Sequence, residues 1–304
     1  MKPGSVLSRL LRAVQTQLPR IADDGDDERV QSKSLFGATL RKVSFSIYAL
    51  ALIAIITWVA VQMAAPNGST GAMLTVQLTR GPFNVLDYPP QVHREPRAII
   101  LFGSGDGGWT GFEDAICKTL QMRRYEAVGI DFARYADDDY SLEILQEDMS
   151  RISATIRARY ADNNPPVIMG GYSMGAAQAI AAAGGPHPPA GLVGVLLVDP
   201  RSRGRYGLRL ADKGDALPTG PGTFSMDDFS ETMNNLRVVQ WHATEDPIDS
   251  RAWLETLTAP HKEFDFGQTG HHYDNGRADF LTQFADSVNW ILSDPEPVVP
   301  PSRP

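Results

Sequence analysis

Ser173 lies in Gly171-Tyr172-Ser173-Met174-Gly175, a serine flanked at two-residue spacing by glycines. A serine hydroxyl is a weak nucleophile unless a base sits beside it. Further along, the chain offers an acid and then a histidine: Asp246 in WHATEDPID, and His271 and His272 in GQTGHHYD. In such a set the histidine takes the serine proton, while the carboxylate orients the imidazole and stabilises its charged form. Asp199 is a second place for the acid. His271 is preferred to His272 because it directly follows Gly270, but the sequence leaves both open. The run FGSGDGGWTGF, residues 102–112, is glycine-rich and could aim backbone N–H groups at a developing oxyanion. Asp106 N and Met174 N are the expected donors, with Gly105, Gly107 and Trp109 as candidate substrate contacts. The run lacks the G-x-x-x-x-G-K-[ST] spacing of a phosphate cradle. The chemistry calls for no cofactor and no metal.

Taken singly, each residue has an ordinary reading: a turn serine, a turn aspartate before proline, a loop histidine. Their placement argues otherwise. Residues 74–79 alternate like a half-buried strand, and AIILF at 98–102 is a continuous apolar run suited to a buried parallel strand. Strands are also predicted at 126–132, 166–170, 192–198, 236–242 and 261–266. Helices are predicted from the glycine-rich loop to Arg123, over 140–160, over 174–184 and over 277–292. The alternation implies an α/β fold with a mostly parallel central sheet and helices on both faces. Function in such sheets gathers at the carboxyl ends of the strands. Ser173, Asp199, Asp246, His271 and the 102–112 loop all follow predicted strands. Ser173 also precedes a helix, the strand–turn–helix setting that raises Gly-x-Ser-x-Gly above a bare pattern.

The flanking segments bear on location. Residues 43–65 hold no charged side chain over a length sufficient to cross a bilayer. Arg29, Lys33, Arg41 and Lys42 precede that span, and only Arg80 follows at similar range. The bias predicts one uncleaved transmembrane signal anchor, with a cytoplasmic, disordered tail at 1–42 and the remainder outside, in the periplasm of a Gram-negative cell. Residues 66–73 read as a linker, 74–293 as the catalytic domain, 200–235 as a cap insert, and 294–304 as a proline-rich tail. The chain's formal charge is −8; subtracting +3 on residues 1–42 leaves −11 on the rest. That excess argues against a nucleic-acid partner and suits a cationic substrate. The single cysteine, Cys117, precludes an internal disulfide.

SGDGGW at 104–109, GYSMGA at 171–176 and GHHYDN at 270–275 together resemble the VirJ/AcvB family of bacterial virulence proteins, within the α/β-hydrolase superfamily. The resemblance spans roughly residues 74–293. It implies an exported protein that hydrolyses the aminoacyl ester of lysyl- or alanyl-phosphatidylglycerol at the inner membrane. Ser173 would be the nucleophile, Asp246 the acid and the 271–272 pair the source of the base. A general lipase or carboxylesterase with the same triad, and a non-catalytic periplasmic adaptor for secreted proteins, are the alternatives. Asp106 or the run 137–139 would meet the substrate ammonium, and Arg201, Arg203 and Arg205 the lipid phosphate.

Overall fold

The computed structural model describes residues 69–90, 95–160, 164–214, 216–246, 251–267, 269–273 and 275–293. The expected tail, the apolar span 43–65 and the proline-rich end lie outside the described residues. Among those described, no helix is long and apolar enough to cross a membrane.

The strands are β1 (Ala72–Leu78), β2 (Gly81–Tyr88), β3 (Ile99–Gly103), β4 (Glu126–Ile130), β5 (Val167–Tyr172), β6 (Leu192–Val198), β7 (Arg203–Arg205), β8 (Thr223–Ser225), β9 (Arg237–Ala243) and β10 (His261–Phe266). Eight of them form one sheet in the order β1-β2-β4-β3-β5-β6-β9-β10. From β4 to β10 every neighbouring pair is parallel, and β2 is antiparallel to both its neighbours. The linker expected over 66–73 is partly structured: Thr70 N donates to Asp114 Oδ1 at 2.7 Å, and β1 begins at Ala72.

The sheet is buried on both faces, and its central strands show it residue by residue. On β3, Ile99 and Leu101 face one core while Ile100 and Phe102 face the other, as the two-residue period of a strand requires. Helices α2 (Leu142–Arg157) and α3 (Met174–Gly184) cover the first face, and α1 (Gly111–Met122) and α4 (Arg277–Leu292) the second. The insert 200–235 carries the β7–β8 hairpin. Its Phe224, Met226, Phe229 and Met233 complete the first core beside α3. Cys117 is fully buried on α1, and burial pushes its thiol well above the usual range, as an apolar packing residue would show.

Helix α1 starts where its sequence dictates. Thr110 Oγ1 accepts from Phe112 N at 3.2 Å, and Glu113 Oε2 accepts from Thr110 N at 3.0 Å. This reciprocal cap fixes the point at which the glycine-rich loop ends. Thr110→Ala should lower stability by about 1 kcal/mol, read as a fall of a few degrees in Tm.

Candidate active site

Parallel pairing brings the ends of β3, β5, β6, β9 and β10 to one edge of the sheet, and the candidate residues follow those ends. Ser173 links β5 directly to α3. Its backbone is at φ +52°, ψ −114°, a conformation that costs a non-glycine residue energy. Its N–H still pairs with Val198 O at 2.9 Å, while its carbonyl already accepts from Ala176 N at 3.1 Å. Strand and helix are therefore joined by one residue. A Cβ on Gly171 would stand 2.3 Å from the Gly175 carbonyl carbon, and one on Gly175 2.4 Å from Gly103 O. The two glycines of the pattern are what allow α3 to press against β3 and β5.

The acid and the base meet. His271 Nδ1 lies 2.7 Å from Asp246 Oδ2, with the carboxylate side chain 1% exposed and the imidazole 16%. Of the two histidines it is His271 that pairs with the acid; His272 Nδ1 lies 3.1 Å from the Tyr172 hydroxyl instead. Tyr172 holds the histidine loop from the serine side, donating to His271 O at 2.8 Å, with its ring centroid 4.8 Å from the imidazole. Tyr273, at φ +51°, anchors the same loop in the core between Phe112 and Phe280. Burial and the carboxylates around it push the Tyr172 phenol far above its ordinary value, so it stays a neutral donor. Ser173 is buried, and its hydroxyl has no hydrogen-bond partner among the described residues. The serine–histidine hydrogen bond is thus unmade in this structure, while the acid–histidine pair is formed.

Asp199 reaches the same place from β6. One oxygen each of Asp199 and Asp246 and a ring nitrogen of His271 lie within 4.8 Å of one another. Three donors at that spacing could approach a cation. The 2.7 Å contact between two of them is the separation of a shared proton.

A cavity of about 560 Å³ opens beside this group, lined by Gly105, Asp106, Glu113, Tyr172, Arg201 and His271 among others. Gly105 and Gly107 of the expected contacts line it. Trp109 does not: it is 4% exposed, against Gly129 of β4, where a Cβ would lie 2.2 Å from the indole. The absence of a side chain on Gly129 draws the indole inward. Asp106 also differs from expectation. Its Oδ2 accepts from Gly214 N at 2.9 Å and lies 3.4 Å from Arg201, so its carboxylate is occupied by the insert. Two of the three arginines expected at a lipid phosphate are likewise engaged, while Arg203 is exposed. Arg205 is buried against Asp212 at 2.7 Å, and Arg201 is buried on the carbonyls of Asp212, Gly214 and Ala216. Residues 137–139 lie outside this cavity, and Asp139 lies 3.6 Å from Arg209. His242 is buried one residue before the end of β9. Sequence reasoning missed Tyr172, Glu113 and Arg277 as wall residues. The signals available were adjacency to Ser173, the cap spacing from Thr110 and the start of α4.

Comparison with known proteins bears on the fold. Residues 97–184 match the family model described as bacterial virulence protein (VirJ). No curated protein sequence matches the chain. Among solved structures, the esterase domain of a Rhodothermus marinus protein is similar at 17% identity with a TM-score of 0.54, over 73% of this chain and 97% of that one. Est1E from Butyrivibrio proteoclasticus is similar at 15% and 0.53, over 73% and 99%. A lidless α/β serine hydrolase from Xanthomonas campestris is similar at 16% and 0.51, over 76% and 100%. The chain therefore has the α/β-hydrolase fold, and its VirJ family match falls on the segment running from just before β3 to the end of α3, with Ser173 inside it.

Proposed function

We propose that the chain is a membrane-anchored periplasmic serine esterase that removes the aminoacyl group from aminoacyl-phosphatidylglycerol. The observation that carries this reading is the 2.7 Å His271–Asp246 pair at the sheet edge that also holds the strained Ser173 turn. With Nδ1 engaged by Asp246, His271 has Nε2 left for the serine. Ser173 Oγ attacks the aminoacyl carbonyl as Nε2 takes its proton. The oxyanion faces Met174 N, an unpaired first-turn donor of α3, and Asp106 N. Collapse expels the glycerol oxygen of phosphatidylglycerol, which receives the proton from His271. Water then attacks the acyl-serine with His271 as base, releasing the amino acid and restoring Ser173. The serine–histidine contact closes on substrate binding, as catalytic hydrogen bonds often do.

The cavity wall is mixed: Asp106, Glu113, His271, His272 and Arg277 stand among glycines, Phe112 and Tyr172, so a short acyl group with a charged amine would meet acidic side chains there. An anchor at 43–65 would hold the site near the bilayer, where the ester lies. A general carboxylesterase is the second reading, favoured by the similar structures that are described as esterases.

The test uses the full chain and its Ser173→Ala variant on lysyl-, alanyl- and plain phosphatidylglycerol and on an aryl ester. Amino-acid release by the unaltered chain alone supports the proposal. Turnover of the aryl ester alone supports the general esterase, and fatty-acid release a lipase. No turnover, with retained binding to an exported protein, would establish an adaptor instead. Tyr172→Phe removes the hydrogen bond that steadies His271. At about 1 kcal/mol it should lower kcat about fivefold with KM little changed, measured on the same substrates.

A further inference from the structure

We propose that Asp199 is a positioning residue of this site: it locks the end of β9 that leads to Asp246 and sets a second carboxyl against the Asp246–His271 pair. The proposal rests on the serine-esterase reading. Asp199 ends β6 at φ +40°, a conformation held by two bonds to β9. Its N–H donates to Trp241 O at 3.0 Å, and its Oδ1 accepts from Ala243 N at 2.9 Å. Ala243 lies three residues before Asp246, so the side chain fixes where the acid emerges. The other oxygen, Oδ2, is buried, and the buried Tyr273 hydroxyl is the group that faces Asp199 there. The groups facing Asp199 are Asp246 from the end of β9, His271 and Tyr273 from the loop after β10, and Tyr172 from the end of β5.

Two buried carboxyls around one imidazole cannot both ionise cheaply. Burial first, and then the charge of Asp246, push Asp199 up to about 7, against opposing pulls from the Ala243 N–H, His271 and Tyr273. Below that point Asp199 is a neutral acid. Above it, a second negative charge stands beside Asp246 and His271. The folded protein also holds the Asp199 proton more tightly than the unfolded chain, whose value is near 3.8. The resulting stabilisation is complete below about 4 and is lost as pH rises through about 7.

The experiment follows the Asp199 carboxyl carbon by 13C NMR in the full chain, alongside pH profiles of kcat/KM for wild type and Asp199→Asn. Asparagine keeps an acceptor for Ala243 N and removes the charge. The expected result is an Asp199 midpoint near neutrality, and a change in the kcat/KM profile near that midpoint that Asp199→Asn abolishes, with Tm preserved. Asp199→Ala, which also loses the bond to Ala243 N, should show a lower Tm and a lower kcat. An Asp199 carbon that titrates below pH 5 overturns the proposal, as does a pH profile that Asp199→Asn leaves unchanged. The carbon titration needs neither the variant nor turnover. A chain inactive on every ester, with Asp199 still titrating near neutrality, sinks the esterase reading and supports the coupled carboxyls.

Discussion

Ser173→Ala is expected to reduce ester turnover by about 10⁴-fold or more while leaving the protein at least as stable as before. The activity loss follows from chemistry: without Oγ no acyl-enzyme forms, and the remaining oxyanion donors can only assist direct attack by water. The stability effect follows from the structure. The hydroxyl is buried and without a partner, so it contributes a desolvation penalty and nothing in return. Alanine keeps the backbone strain at φ +52° but removes that polar group. A gain of about 1 kcal/mol would raise Tm by roughly 2–4 °C for a domain of this size. A variant that retains turnover would remove Ser173 from the mechanism. One that loses turnover together with its fold would leave the nucleophile unproven, so the two readouts belong in one experiment. A fluorophosphonate probe that labels wild type and not the variant adds a direct check.

Gly175→Ala should be, with Gly171→Ala, among the most damaging single-methyl additions at the site. The added Cβ would stand 2.4 Å from Gly103 O and 2.5 Å from both Gly103 C and Ser104 O. All three are backbone atoms of β3 and the loop after it, so no side-chain rotation relieves the overlap. Overpacking typically costs 1–3 kcal/mol, and a clash with backbone alone belongs at or above the top of that range. A fall in Tm of about 10 °C, or loss of soluble protein, is the expected outcome. The control is Gly111→Ala. No atom lies within 4 Å of its Cβ position, and alanine favours the first turn of α1, so Tm should hold or rise. Equal destabilisation by both variants would show that the contact with Gly103 does not limit the turn. Any folded Gly175→Ala protein should also lose activity, because α3 can move off β3 only by carrying Met174 N with it.

Much of this was legible because local signals and chain order were enough. The small-residue run that becomes α3, bounded by glycines, has the predicted limits 174–184, and the closing helix has its predicted limits 277–292. Ser173, Asp246 and His271 are separated by long stretches, yet each follows a strand of one parallel sheet, which is why sequence order could stand in for proximity. Strand β2 escaped notice because GPFNVLDY opens on Gly-Pro and carries Asn84 in its middle, with no alternation to read. β7 and β8 are three residues each, too short for any period to register. The arginines of the insert were misread for a deeper reason. Arg205 and Asp212 are near in sequence, but whether a guanidinium turns outward to a lipid or inward to a carboxylate is settled by how the insert folds, here with both side chains buried against each other. The choice between Asp246 and Asp199 likewise needed the 2.7 Å contact, since both follow strands that end at the same edge.

Arg201 reaches Asp106, 95 residues earlier in the chain, and at the same time the carbonyls of the stretch that ends at Ala216. For anyone transplanting this crossover into a homologous scaffold, the cut points follow from that one guanidinium. A graft bounded by the hairpin alone would sever the arginine from its carbonyl acceptors and strand a buried cation at the mouth. The portable module runs from before Arg201 through Ser225, so that β7 keeps β8, and it requires an aspartate at the position of Asp106 in the recipient.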